Sequence, residues 1–300
     1  MLDRRVEAFA KVLPRLRDGD VEGIHRARVA TRRLREALPV VAAAAPQARK
    51  LRRTLRDLGR ALGAVRELDV SLQLIEELDA TGRFERASLD RVGRALAADR
   101  AAAWAAARQA IDEIDLESLM DRLRATVAVL RRRPARRPAV AAGEWLPLLR
   151  LRASRRAEEL TGAVDAAGAL YLPERLHQVR IAVKKLRYAR ELIEEAAGAR
   201  QPGARLRLLK DLQETLGRLH DLQVLIDRTR QLQASMPQPR LTAWSELHIL
   251  QRALEDACRE RHAAYMSRRD ALVTAVEAWR LPASATRRDR PSAPGTAATS

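Results

Sequence analysis

Residues 24–35 read IHRARVATRRLR, with one histidine and five arginines in twelve positions. Residues 176–187 read LHQVRIAVKKLR and repeat the histidine and most of the basic positions, with His177 lying 152 residues after His25. The leucines at 55, 58 and 62 recur at 209, 212 and 216, at an offset of 154. Because an internal repeat marks a duplicated structural unit, we expect two halves that share helix order and length.

On a helix, the first repeat forms a basic stripe at the edge of an apolar face. At about 100° per residue, His25, Arg28, Arg32 and Arg35 fall on one side, and Arg33 falls on the other flank of His25. The neighbouring face carries Ile24, Ala27, Thr31, Leu34 and Leu38. A solvated helix would place its charges opposite the core. We therefore expect the stripe to border a groove, where either internal carboxylates or an external polyanion neutralise it.

The composition indicates an all-helical, basic protein. The chain has 57 Lys and Arg against 39 Asp and Glu, a formal net charge of +18, and it is rich in Ala, Leu and Arg, which favour helices. Residues 21–66 alone hold twelve Arg and Lys but three acidic residues. This excess favours a nucleic acid, an anionic membrane or a polyphosphorylated partner. Aromatic residues make up only 3%, which disfavours stacking on nucleic-acid bases.

Cysteine usage and hydropathy lead us to expect a cytoplasmic protein. Cys258 is the single cysteine, so no internal disulfide can form, as is typical of a reducing compartment. No apolar leader follows Met1 and no stretch reaches 18 apolar residues, so we expect neither a signal peptide nor a membrane span.

Apolar periodicity and turn residues predict the helix order. In the first half we expect helices at 3–17, 21–44, 47–62, 66–80, 84–112 and 116–131, with a break at Gly63. In the second half, beside the leucine row at 209–216, we expect helices at 144–167, 172–197, 220–233 and about 240–280. The predicted organisation is half 1 at about 1–130, a basic linker at 131–143, half 2 at about 144–280 and a disordered tail at 281–300.

These motifs resemble those of the CHAD domain, a histidine-bearing α-helical domain. The first half carries HxxRVxxRRLR from His25 and LGxxRExDV from Leu62, and the second carries HxxRIxxKKLRY from His177 and LQxxLGxxHD from Leu212. The resemblance covers residues 1–280 and implies an all-α fold with two pseudo-symmetric four-helix-type bundle halves around a central basic cavity. It also implies binding of inorganic polyphosphate and association with polyphosphate granules. Glu67 stands where the family usually has aspartate, which keeps the charge.

For a polyphosphate ligand, we predict contacts from the basic residues of both repeats, because arginine grips phosphate oxygens with paired hydrogen bonds. The predicted polyphosphate-binding residues are His25, Arg28, Arg32, Arg33, Arg35, Arg53, Arg56, Arg66, His177, Arg180, Lys184, Lys185, Arg187, Arg207, Lys210 and His220. We expect the histidines at 25 and 177 to bond phosphate, with structural packing as the alternative. We expect the carboxylates of Glu67, Asp69 and Asp221 to hold neighbouring arginines in place, and we predict neither a metal nor a cofactor.

Three function classes stay open from the sequence. The first is a polyphosphate-binding module without enzymatic activity, and it is the one we favour. The second is a phosphohydrolase or phosphotransferase acting on polyphosphate, which would need clustered carboxylates for Mg²⁺; the motifs contain no such cluster. The third is a nucleic-acid-binding protein, which the charge permits but the scarcity of aromatic residues disfavours. The sequence leaves homo-oligomer formation open.

Overall fold

The structure, a computed structural model, describes residues 2–41, 47–132, 138–199, 201–236 and 241–280. Within these ranges every regular element is an α-helix, which confirms the predicted all-α fold class. The pseudo-symmetry of the two halves stays a prediction. The predicted tail at 281–300 and residues 133–137 of the predicted linker lie outside the described residues.

The helices of the first half follow the predicted order. They are α1 (Leu2–Ala10), α2 (Leu13–Arg17), α3 (Val21–Val41), α4 (Ala48–Asp79), α5 (Arg86–Asp112) and α6 (Leu116–Arg132). The remaining helices are α7 (Pro138–Ala167), α8 (Pro173–Ala196), α9 (Ala204–Ala234), α10 (Leu241–Met266) and α11 (Arg269–Glu277). Among the helices placed here, none combines the length and the apolarity needed to cross a bilayer.

Helices α4 and α9 connect two apolar clusters. The larger cluster packs α1, α2, α3, α6, α7, α8, α11 and the C-terminal ends of α5 and α10 against the first parts of α4 and α9, as far as Val65 and Leu219. The smaller one packs α5 and α10 against the later parts of α4 and α9, from Leu68 and Leu222 onward. Because both long helices are anchored at both ends, the polar residues between the two clusters are held on a rigid frame.

The predicted break at Gly63 is wrong. Two helices, 47–62 and 66–80, are predicted where the structure has the single helix α4, and Gly217 likewise lies inside α9. A glycine within a helix costs only about 1 kcal/mol. Leu62 and Val65 are fully buried beside Gly63, so tertiary packing keeps the helix continuous.

Gly63 makes room for an arginine of α3. A Cβ atom built at Gly63 would lie 2.9 Å from Nη1 of Arg28. The same nitrogen donates a hydrogen bond to the carbonyl oxygen of Gly59 at 3.1 Å. Gly63 therefore lets the Arg28 guanidinium lie directly against the α4 backbone, a contact that a larger side chain would obstruct.

Three further helix boundaries differ from prediction. Pro14 has no N–H with which to bond the carbonyl of Ala10, so the first predicted helix divides into α1 and α2. The last predicted helix divides into α10 and α11 near Ser267. The Ser267 hydroxyl donates to the carbonyl of Ala264 at 3.0 Å, and such side-chain bonds compete with the backbone hydrogen bonds of a helix. Helix α7 begins at Pro138, earlier than predicted, because proline suits the first turn of a helix.

Alanine at Gly217 should stabilise the fold more than alanine at Gly63. A Cβ atom at Gly217 meets no atom within 4 Å, whereas at Gly63 it displaces Arg28. We expect Gly217→Ala to raise the free energy of unfolding by up to about 1 kcal/mol, the difference in helix propensity. Gly63→Ala should raise it less, or lower it. Urea unfolding of both variants measures the difference, and equal gains would contradict the close approach of Arg28.

Candidate anion-binding site

Basic side chains from three helices converge where α3, α4 and α8 meet. Arg28 and Arg32 come from α3, Arg66 from α4, and Arg180 and Lys184 from α8. Burial lowers the pKa of Arg28, and the nearby charges of Arg32, Arg66 and Arg180 lower it further. We call these five residues the central cluster. The structure thus brings together predicted site residues from both sequence repeats.

Within the central cluster, the positive charges repel one another. Burial, followed by the charges of Arg180, Arg32 and Arg28, lowers the pKa of Lys184 from 10.5 to about 7. Burial also lowers the pKa of Arg180, although Asp221 partly offsets this. The Nε atom of Arg180 is buried and has no hydrogen-bond partner in the described part of the chain. A bound anion would relieve the repulsion and could accept this hydrogen bond.

Two carboxylates face these five cations. Asp221 of α9 interacts with Arg180, Lys184 and Arg66, yet burial dominates and raises the pKa of its carboxyl group. Glu67 of α4 interacts with Arg28 and Arg180, and its side chain is exposed. The two carboxylates occupy corresponding positions in the two repeats, as expected for groups that hold arginines in place. They leave most of the positive charge of the central cluster uncompensated.

Two histidines of the second half form a neutral pair beside the central cluster. The Nδ1 atoms of His177 and His220 lie 3.1 Å apart, so one ring donates a hydrogen bond to the other. Burial, then the charges of Arg180, His177 and Lys184, lowers the pKa of His220 to about 3. Burial also lowers the pKa of His177. Both rings therefore stay uncharged near neutral pH. The ring that accepts this hydrogen bond at Nδ1 carries its proton on Nε2, and that N–H can donate to an anion.

His25 occupies the corresponding position in the first half. Burial and the neighbouring charge of Arg66 lower its pKa. Arg66 stands at the place in the repeat that His220 fills in the second half. The histidine of each repeat thus lies beside the central cluster, and its contact with a ligand remains a prediction.

Tyr188 fixes the position of an arginine across the two halves. The Arg32 guanidinium lies 5.0 Å from the centroid of its ring, and the Arg187 guanidinium lies 4.4 Å from it. Both distances are within the range of cation–π attraction. The sequence gives no signal for this role, because the first repeat has Glu36 in the corresponding position, where it pairs with Arg152 at 2.6 Å.

Two predicted site residues of α8 are paired within the protein. Arg187 donates to the carboxylate of Glu191 and, through Nε, to the amide oxygen of Gln213 at 2.8 Å. Lys185 lies 3.7 Å from the carboxylate of Glu159 on α7. The positive charges of Arg187 and Lys185, which the sequence analysis assigns to ligand binding, are thus already paired with carboxylates of the protein.

The other predicted site residues lie outside the central cluster. Arg35 is half-buried near Arg52 and Arg56, and burial lowers its pKa. Arg56 is exposed beside Asp57, whose carboxylate is 3.5 Å away. No described contact joins the central cluster to exposed Arg53, half-buried Lys210 or exposed Arg207, which donates to the Pro202 carbonyl at 2.8 Å. The exposed Arg33 lines a separate cleft.

The arrangement is suited to binding anions. In the described residues, no group of three or more His, Cys, Asp or Glu side chains could hold a metal ion.

Asp69 is one of the carboxylates expected to orient arginines, and it lies away from the central cluster. Its buried carboxylate is 2.6 Å from Nε of Arg100. The central cluster itself offers guanidinium donors at several points, which suits an extended ligand with repeated negative charges.

Comparison with solved structures gives matches over most of the chain. PptA from Streptomyces chartreusis matches with a TM-score of 0.62 and 22% identity, covering 89% of this chain and 96% of that one. The CHAD domain from the plant Ricinus communis matches with a TM-score of 0.61 and 24% identity, covering 93% and 89%. At these identities the matches show the shared fold alone. No curated protein matches the chain.

The family model of the CHAD domain matches residues 1–230. This range contains both basic repeats and every residue of the central cluster. The protein belongs to the CHAD-domain family.

Proposed function

We propose that this protein binds inorganic polyphosphate through the central cluster. The observation that carries the proposal is the convergence of five cations on two carboxylates between α3, α4, α8 and α9. An external polyanion supplies the missing negative charge. Family membership supports a polyphosphate-related role, and the repeated spacing of the arginines matches a ligand whose charges also repeat.

Polyphosphate fits this site better than nucleic acid does. It presents non-bridging phosphate oxygens without bases, so it needs arginine forks and no stacking platform. Tyr188, whose ring lies at the central cluster, is buried and covered by the guanidinium groups of Arg32 and Arg187. Its ring face is thus not open to a base.

We further propose that the protein binds polyphosphate without hydrolysing it, and that this binding recruits it to polyphosphate granules in the cytoplasm. The carboxylates of Glu67 and Asp221 each face arginines, which supports a role in positioning those side chains. Release of orthophosphate from long-chain polyphosphate in the presence of Mg²⁺ would contradict the first part of this proposal and favour a phosphohydrolase.

Long-chain polyphosphate should stabilise the folded protein, because it binds the fold and not the unfolded chain. At a hundredfold excess over Kd, the gain of about 2.7 kcal/mol corresponds to a rise in Tm of about 4 °C for a chain of this size. Lys184→Gln and Arg32→Gln should each lose most of this rise. Calorimetry with and without ligand measures it.

Arg261→Gln is the matched control, because it removes one exposed arginine from α10, which contributes nothing to the central cluster. It should keep the full rise in Tm. An unchanged Tm in the wild-type protein, or an equal loss in the control, would count against the central cluster as the binding site. Competition with duplex DNA at equal phosphate concentration separates polyphosphate from nucleic acid as the preferred ligand.

Binding should take up a proton at pH 8. In the free protein the pKa of Lys184 is about 7, so its amine is mostly neutral at pH 8, and a bound anion favours the ammonium form. We therefore expect about one proton to be taken up per bound site, and tighter binding as pH falls from 8 to 6.

Titration calorimetry in two buffers of different ionisation enthalpy measures the uptake. Lys184→Arg should abolish it, and buffer-independent heats in the wild-type protein would contradict the assignment.

A further inference from the structure

A second cleft lies beside α3, on the other side of His25 from the central cluster. It has a volume of about 710 Å³ and is lined by residues of α1, α3 and α8. On α3, Arg28 and Arg32 lie to one side of His25, whereas Val29 and Arg33 lie to the other. The volume falls within the range of small-molecule sites. Arg33, predicted as a polyphosphate ligand, belongs to this cleft.

The floor of the cleft is apolar. It is formed by Val12 and Ala30, which are buried, and by Val29, which is half-buried. A bare phosphate chain has no apolar surface and would gain nothing from this floor. The floor therefore favours a ligand with an apolar or flat organic part.

Two of the exposed cations that line the rim of the cleft have no ion-pair partner among the described residues. Lys11, in the turn between α1 and α2, and Arg33 of α3 line it, and no ion pair found among the described residues engages either of them. Both are thus available to an external anion. Arg26, also in the lining, is 2.5 Å from the carboxylate of Glu22 and is already paired.

Carboxylates on the same rim disfavour a pure polyanion. Glu195 of α8 lies 3.1 Å from Arg4 and 2.6 Å from Arg5, and Glu22 is paired with Arg26. Carboxylate oxygens repel phosphate but can accept hydrogen bonds from hydroxyl groups or amines. The cleft therefore combines an apolar floor, phosphate-binding cations and hydrogen-bond acceptors.

We propose that this cleft binds a nucleoside polyphosphate. Its phosphates contact Lys11 and Arg33, its base lies on the floor around Val29, and its ribose hydroxyls donate to the rim carboxylates of Glu22 or Glu195. Each kind of surface in the cleft then meets the matching part of the ligand. The site is separate from the central cluster, so it adds a second ligand class to the protein.

Displacement of a fluorescent ATP analogue tests this site in the full chain. Lys184→Gln serves as the background, because it weakens phosphate binding at the central cluster. We expect ATP to displace the analogue at concentrations at least about tenfold lower than tripolyphosphate, which has the phosphates but no nucleoside. Arg33→Gln should weaken ATP binding by about tenfold, the loss of one charge-assisted contact. Arg261→Gln, an exposed arginine elsewhere, should leave it within about twofold.

Val29→Gln changes the floor without changing any charge, so it should weaken ATP and leave tripolyphosphate unaffected. Equal displacement by ATP and tripolyphosphate would overturn the proposal, since the cleft would then bind phosphate alone. An unchanged ATP affinity in Arg33→Gln would also overturn it. Stabilisation of the wild-type protein by long-chain polyphosphate is measured independently and tests the central cluster alone, so failure of one proposal does not imply failure of the other.

Discussion

Repulsion between buried cations is the constraint on which this structure depends. The guanidinium groups of Arg28 and Arg180 and the ammonium group of Lys184 are drawn together where α3 and α8 meet, and each has a lowered pKa because it is buried among like charges. Removing one partner from a buried ion pair destabilises a folded protein, because a charge is left unpaired. A site with fewer carboxylates than cations destabilises the fold for the same reason. The surrounding fold holds these cations together, and under the proposed function a bound anion completes the site.

The fold supplies that support from two sides. Helices α4 and α9 run through both apolar clusters, so the side chains between the clusters cannot easily move apart. Gly63 leaves room for Arg28 to contact the α4 backbone, and the ring face of Tyr188 contacts Arg32. A preorganised row of donors loses little conformational freedom on binding, which favours tight recognition of a flexible chain.

The sequence predicts the main features of the site but not its limits. Helical spacing places Arg28 and Arg32 beside the buried face, and the repeat pairs them with Arg180 and Lys184. Helical spacing also predicts that Arg33 lies on the other flank of His25. Spacing cannot show that Arg187 meets a carboxylate and an amide inside the protein, because that depends on which helices cross. The predicted break at Gly63 is wrong for a related reason, since packing of Leu62 and Val65 against other helices keeps α4 continuous.

The most direct test is the stability of Lys184→Met in the absence of any ligand. The folded protein holds the pKa of Lys184 at about 7, below its ordinary 10.5. Burying the charged amine therefore lowers the free energy of unfolding. This loss of stability is fully present below about pH 7 and disappears as pH rises toward 10.5. The variant should melt at a higher temperature than the wild-type protein at pH 6, lose that advantage near pH 10, and bind polyphosphate more weakly throughout. A variant that melts at a lower temperature at pH 6 would show that internal partners already satisfy the charge, and would contradict the account.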